Sequence, residues 1–198
     1  MNKIKKLNEN YIFFLALMTA LAASLYMFEM YIPKPLPFMK IGFSNIVVLV
    51  LVYSSFFKEA VIVAISKSLI GSFISGTLFS PTFLLSIFGS LLSCVIMMGV
   101  MIISNLKVKN RNISPLPSSF EGEQFRISIF GLSIVGSFVH LLTQLIVVRI
   151  FIIQSDSILL LYPLIAVISI VTGFLTGLCG FYFNKTIDLR SYYAKAYT

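Results

Sequence analysis

Charge is scarce in this chain. Of its 198 residues, 11% are charged, against about a quarter in average globular proteins, while 58% are hydrophobic. No water-soluble domain hides that much apolar surface. A mean hydropathy of +0.98 therefore overrides the nucleic-acid reading that a net charge of +8 would otherwise invite. Cysteine is equally sparse. Cys94 and Cys179 fall in separate apolar runs at different expected depths, and a bridge needs Cα atoms within about 7 Å. Both are expected to be free, small, buried residues in packed helices. Also missing are a phosphate-binding glycine loop, an aspartate-rich motif and a nucleophile beside a base. The expectation is a protein that is not an enzyme and has no ATP-hydrolysing engine of its own. The apolar segments contain no cluster of His, Asp or Glu, so no metal and no cofactor are expected. No internal repeat marks the inverted-repeat design of secondary transporters.

What is present is a series of apolar runs. Spanning a bilayer takes about 20 helical residues, and six such runs fit the chain, at about 11–31, 41–57, 60–79, 82–104, 127–151 and 158–183. The expected fold is an all-α integral membrane protein, a bundle of six transmembrane helices forming one membrane domain over residues 1–198. Pro33, Pro35 and Pro37 end the first run. Lys58 and Glu59 mark a tight hairpin between the second and third. The stretch 105–126, with Pro115, Pro117 and Gly122, is the long loop, and it is expected on the cytoplasmic side.

Basic residues set the orientation, because Lys and Arg are biased to cytoplasmic loops. With both termini cytoplasmic, the inner segments hold Lys3, Lys5, Lys6, Lys58, Lys107, Lys109, Arg111, Arg126, Lys185, Arg190 and Lys195. Only Lys34 and Lys40 then face outward, while Lys67 and Arg149 sit within runs. The expected location is the cell's inner (cytoplasmic) membrane, crossed several times. Lys3 to Lys6, the apolar stretch after them and Ala20-Leu21-Ala22 imitate a secretory signal, but the apolar run continues toward Tyr31, which favours a retained first helix. Tyr11, Tyr31, Tyr53, Tyr162 and Tyr182 fall near run ends, as interfacial aromatics do.

Few polar residues interrupt the runs, so each is informative. Ser133, Gly136, Ser137, His140 and Gln144 fall within about 80° of one another on a helix. A polar group in hydrocarbon is costly unless it faces the bundle interior, a cavity or a partner. His140 and Gln144 therefore read either as structural ties to a neighbouring helix or as contacts to a ligand. Lys67 lies among Ser68, Gly71, Ser72 and Ser75. It either snorkels inward on its flexible stem or meets a buried partner or an anionic ligand group, and Ser75 with its small neighbours either walls a cavity or packs tightly. Asn45 stands about one turn below the outer surface, where it serves as a cap or as the mouth of an outward-open pocket. The stiff segment with Pro33, Lys34, Pro35 and Pro37 makes a candidate lid above it. Arg149 points away from the His140 face, near the outer end, and reads as an interfacial snorkelling residue. Ala16, Ala20 and Ala23 form a small-residue strip in the first run, suited to internal packing or to docking another helix. Gly173, Gly177 and Gly180 in the last run favour internal packing.

The segment Glu29-Met30-Tyr31-Ile32-Pro33-Lys34-Pro35-Leu36-Pro37-Phe38-Met39-Lys40-Ile41-Gly42-Phe43-Ser44-Asn45 resembles the Gx transporter family, also catalogued as heptaprenyl diphosphate synthase component I. Phe57-Lys58-Glu59-Ala60 with Leu69-Ile70-Gly71-Ser72, the stretch from Gly131 to Gln144, and Ile170 to Gly177 fit as well. That family is similar to the substrate-binding S components of energy-coupling factor (ECF) transporters, six-helix bundles that capture vitamins or related small molecules from outside. The resemblance implies docking of a transmembrane coupling subunit, which works with ATPase subunits, on Ala16, Ala20 and Ala23. It also implies a ligand under the connection between the first two helices. A prenyl synthase activity does not fit the chain, because prenyl transferases hold diphosphate and magnesium with aspartate-rich motifs. The synthase label points instead to an alternative role, as a non-catalytic membrane partner in prenyl-diphosphate or quinone synthesis. A scaffold in a larger membrane complex is a third reading.

Overall fold

A computed structural model describes residues 2–34, 39–110 and 127–187, with side chains described over 9–34, 39–106 and 127–187. Among the described residues six α-helices follow one another: α1 (Asn2–Met30), α2 (Asn45–Tyr53), α3 (Phe57–Ile74), α4 (Pro81–Asn110), α5 (Ile129–Val148) and α6 (Tyr162–Thr186). A π-helical turn, Arg149–Ile153, prolongs α5, and a 3-10 helix, Asp156–Leu161, leads into α6. Among the described residues, four stretches are long and apolar enough to cross a membrane: Glu9–Met30, Pro81–Leu106, Ile129–Ile153 and Asp156–Thr186. Large apolar side chains cover the outside, among them Phe73, Phe79, Leu160, Val167 and Phe174. Lipid tolerates such a surface and water does not. The chain is a multi-pass membrane protein.

The second helix departs most from expectation. In place of a full run over 41–57, α2 has nine residues, about 14 Å of helix. It is buried on every side from Ile46 to Val52, packed against α1, α3, α4, α5 and α6. Val and Ile dominate it, residues that favour strands where a sheet is on offer. A strand here would leave its backbone unpaired, whereas a helix bonds its own N–H and C=O groups. Gly42, with φ +92°, shapes the approach to α2 in a region where a side chain would be strained. The hairpin to α3 lies at Ser54-Ser55-Phe56, ahead of Lys58 and Glu59, which belong to the first turn of α3. Ser55 takes the left-handed conformation there, φ 71°.

Around this buried helix, α5 lies between α4 and α6. Glycines make the approaches close: a Cβ on Gly136 would stand 2.5 Å from Met97 Sδ, and one on Gly173 would stand 2.7 Å from Ile134 Cα. Gly177 abuts Phe130 and Ser133, and Gly180 abuts Leu49, so the small face of α6 packs internally as expected. Ser133 and Thr176 join α5 to α6 by a 2.8 Å hydrogen bond.

Smaller expectations also need correction. Helix α4 runs on to Asn110, beyond the expected end at 104. Cys94 is buried, but Cys179 is exposed on α6, and both are free. Arg149 is ion-paired with Asp156 across the π turn, with both side chains exposed. Pro35, Pro37, Arg111, Arg126, Arg190 and Lys195 lie outside the described residues, as do the side chains of Lys3, Lys5, Lys6, Lys107 and Lys109.

Candidate functional site

Two apolar clusters form the core. One surrounds α2 with Phe14, Met18, Val63, Met97, Met101 and Leu132; the other gathers Met39, Leu85, Leu141, Leu145, Val148 and Ile165. Along α4 and α5 the residues between these clusters are polar or small: Gly89, Ser90 and Ser93 on α4, and Gly136, Ser137 and His140 on α5. All six are buried. The chain entering α2 closes over this level and makes it a polar chamber.

Side chains hold that entering segment by its backbone. Gln144 Oε1 accepts from the Lys40 N–H at 2.7 Å, while Gln144 Nε2 donates to the Lys40 carbonyl at 2.9 Å. The Gly42 N–H donates to Glu29 Oε1 at 2.7 Å. Met39, Lys40, Gly42 and Ser44 are buried without helical pairing at those groups, so the buried peptide depends on Gln144 and Glu29 to satisfy it. The chamber's cover is thus latched from α5 and α1.

Lysines line the latch. Lys67 is completely buried; its Nζ donates to Ser44 Oγ at 2.9 Å and to Asn45 Oδ1. The snorkelling alternative therefore gives way to inward bonding, because both acceptors stand at the entrance to α2. The Lys40 Nζ donates to the Tyr26 hydroxyl and lies 4.0 Å from the centre of that ring. Burial pushes the Lys40 amine below the ordinary lysine range, a shift that Tyr26 and Glu29 oppose. Tyr26 is joined to Ser72 at 2.9 Å and fits only because residue 71 is glycine, where a Cβ would collide with its ring.

His140 is the exception among these bonded groups. It is 3% exposed, yet neither Nδ1 nor Nε2 makes a hydrogen bond of full geometry among the described residues, Nδ1 being turned to the Gly89 backbone. Gly89 makes room for it: a Cβ there would stand 2.7 Å from Nδ1. His140 lines a cavity with Gly42, Asn45, Met97, Ser133 and Ser137. Its volume of about 10 Å³ is room for about one water.

The structure therefore brings Asn45, Lys67, His140 and Gln144 to one place, although Gln144 bonds the cover and not the cavity. Ser75 does not join them. It sits at the C-terminus of α3, bonded to the Ser72 carbonyl and to Thr77. Of the expected lid, Lys34 lies beside Tyr26, Glu29 and Lys40 at a second recess, and Pro33 is exposed. Ala16 and Ala20 face outward on α1, whereas Ala23, about 60° round the helix from Ala20, turns into the bundle and is buried. Ser24 continues the outward strip in its place, with its hydroxyl bonded to the Ala20 carbonyl. Sequence reasoning missed Tyr26 and Gly89, and it named Glu29, Gly42 and Ser44 only within the segment that carries the family resemblance and Lys40 only there and as an outward-facing charge. The Tyr26 and Glu29 spacing of three, one helical face, was the available signal.

A family model described as heptaprenyl diphosphate synthase component I matches residues 18–183. The chain belongs to that family. The matched stretch contains every residue of the chamber and its latch, and all of α2 to α5. No curated protein and no solved structure matches the chain.

Proposed function

We propose that this family member is the substrate-binding, S-component-like subunit of an ECF-type uptake transporter. It captures a vitamin-like or other small molecule from the outer side of the cytoplasmic membrane. In this reading six helices cross the bilayer with both termini cytoplasmic, and the chamber opens outward when Met39–Ser44 lifts. The chain performs no chemistry itself. The observation that carries the reading is the buried, unbonded His140 beneath a segment latched by reversible hydrogen bonds. Native proteins pair nearly all buried polar groups, and a ligand is the partner this chamber calls for. With room for about one water, the closed chamber admits a larger molecule only after Gln144 and Glu29 release the segment. The outward strip of Ala16, Ala20 and Ser24 on α1 suits close approach by a coupling-subunit helix, with separate ATPase subunits supplying the energy.

Purification of the full chain from native membranes in mild detergent, with mass spectrometry of everything that co-purifies, tests this. A coupling subunit with paired ATPases is expected, and Ala20→Leu releases them. The family's description supports a second reading, a non-catalytic membrane partner in prenyl-diphosphate or quinone synthesis. Co-purification of a prenyl synthase without ATPases would select it.

A further inference from the structure

Resting on the reading of the chamber as a ligand site, we propose that it takes its small molecule through an anionic oxygen, of a carboxylate or a phosphate. Asn45 and His140 hold that oxygen, with the Lys67 amine behind them. The orientation of Asn45 is the first reason. Its Oδ1 accepts from Lys67, so its Nδ2, which can only donate, is left to face the cavity. A Cβ on Gly42 would stand 3.1 Å from His140 Cδ2 and 3.4 Å from both Asn45 Nδ2 and His140 Nε2, so those two nitrogens lie near each other on one side of residue 42, and both residues line the cavity. A hydrogen-bond acceptor in that cavity meets the Asn45 donor.

The bonding of His140 is the second reason. Neither of its buried nitrogens makes a hydrogen bond of full geometry among the described residues; Nδ1 is turned to the Gly89 backbone, and Nε2 is the atom left for a ligand in the cavity. An apolar ligand would leave it as it is. Charge is the third. Among the described acidic residues, Asp156 pairs with exposed Arg149, Glu9 and Glu59 belong to the first part of α1 and the first turn of α3, and only Glu29 reaches the chamber. Its Oε1 is taken by the Gly42 N–H. Among the described residues the amines of Lys40 and Lys67 hydrogen-bond to the neutral oxygens of Tyr26, Ser44 and Asn45, while the Glu29 carboxylate attracts both through space. Two amines against one carboxylate leave the chamber short of negative charge, which suits an incoming anion and disfavours a cation.

Thermal unfolding of the full chain in phosphate-free buffer tests this with four probes at matched ionic strength: acetate, inorganic phosphate, acetamide and methylammonium. Acetate or phosphate is expected to raise Tm in a saturable way, and the one that acts tells a carboxylate ligand from a phosphorylated one. Acetamide and methylammonium are expected to do nothing. Asn45→Ala, His140→Phe and Lys67→Met each weaken the response about tenfold or more, the loss of one hydrogen bond to a charged group. Without probe, Lys67→Met loses the bonds to Ser44 and Asn45 and unfolds below the wild-type temperature, so each variant's response is read as the shift from its own probe-free Tm. An equal response to acetamide, or a response kept in all three variants, overturns the proposal. Mass spectrometry of the small molecule released from natively purified protein separates the two readings. An anionic molecule supports both, and a neutral or cationic one overturns the anion while leaving the chamber a ligand site. No molecule together with no probe response overturns both.

Discussion

The two ends of α2 are held in opposite ways. At its C-terminal end, Leu49, Leu51 and Val52 sit in an apolar cluster contributed by several helices, and a three-residue turn at Ser54–Phe56 leads directly into α3. At its N-terminal end, the entering chain buries Met39 alone in the second apolar cluster, and the rest of the segment is held by a handful of directional bonds from Gln144, Glu29 and Lys67. Dense apolar packing is redundant and costs much to part. A few hydrogen bonds can be exchanged for bonds to water or to a ligand with small net change. One end of α2 is therefore anchored and the other can open, which is the mechanical asymmetry a chamber with a cover requires.

The largest effect should come from the anchored end. Leu51→Ala removes a completely buried side chain and is expected to cost about 2–5 kcal/mol, read as a large fall in Tm, with ligand affinity unchanged in the fraction that folds. Next is the latch. Gln144→Leu strands the Lys40 N–H and C=O, each costing about 1–3 kcal/mol when buried unpaired. Hydrogen exchange should quicken over Met39–Ser44 while Ile46–Val52 keeps its protection. Equal acceleration in both segments would break the comparison. His140→Phe keeps an aromatic ring and removes two unpaired nitrogens. Stability is expected to stay within about 1 kcal/mol or to rise, while small-molecule retention on purification is lost. The smallest effect belongs to neither end: Arg149→Ala breaks an exposed ion pair and should change Tm by no more than about 1 kcal/mol allows.

How much of this could be read beforehand follows from where each partner lies. The polar face of α5 was legible because a 3.6-residue period places Ser133, Gly136, Ser137, His140 and Gln144 together whatever surrounds them. The glycines of α6 were legible for the same reason. The shortness of α2 was not read, although Ser44-Asn45 and Ser54-Ser55 bracket its apolar stretch, since hydropathy summed over 41–57 outweighs them and does not record that Gly42 takes a positive φ. The fate of Lys67 was hidden because its acceptors, Ser44 and Asn45, precede it by more than 20 residues. Gln144 was recognised as buried and polar, but its partner is the Lys40 backbone, 104 residues away, and a backbone group leaves no mark in the sequence. Glycine at 89 was equally silent, because its role is to leave room for a ring carried by another helix.

Hydrogen exchange of the full chain in lipid nanodiscs, with and without the small molecules released from its own native preparation, tests the central claim most directly. The account predicts that the Met39–Ser44 amides exchange faster than those of Ile46–Val52 in the emptied protein and become protected when the molecules are returned. Equal protection of both segments, unchanged by that addition, would contradict it.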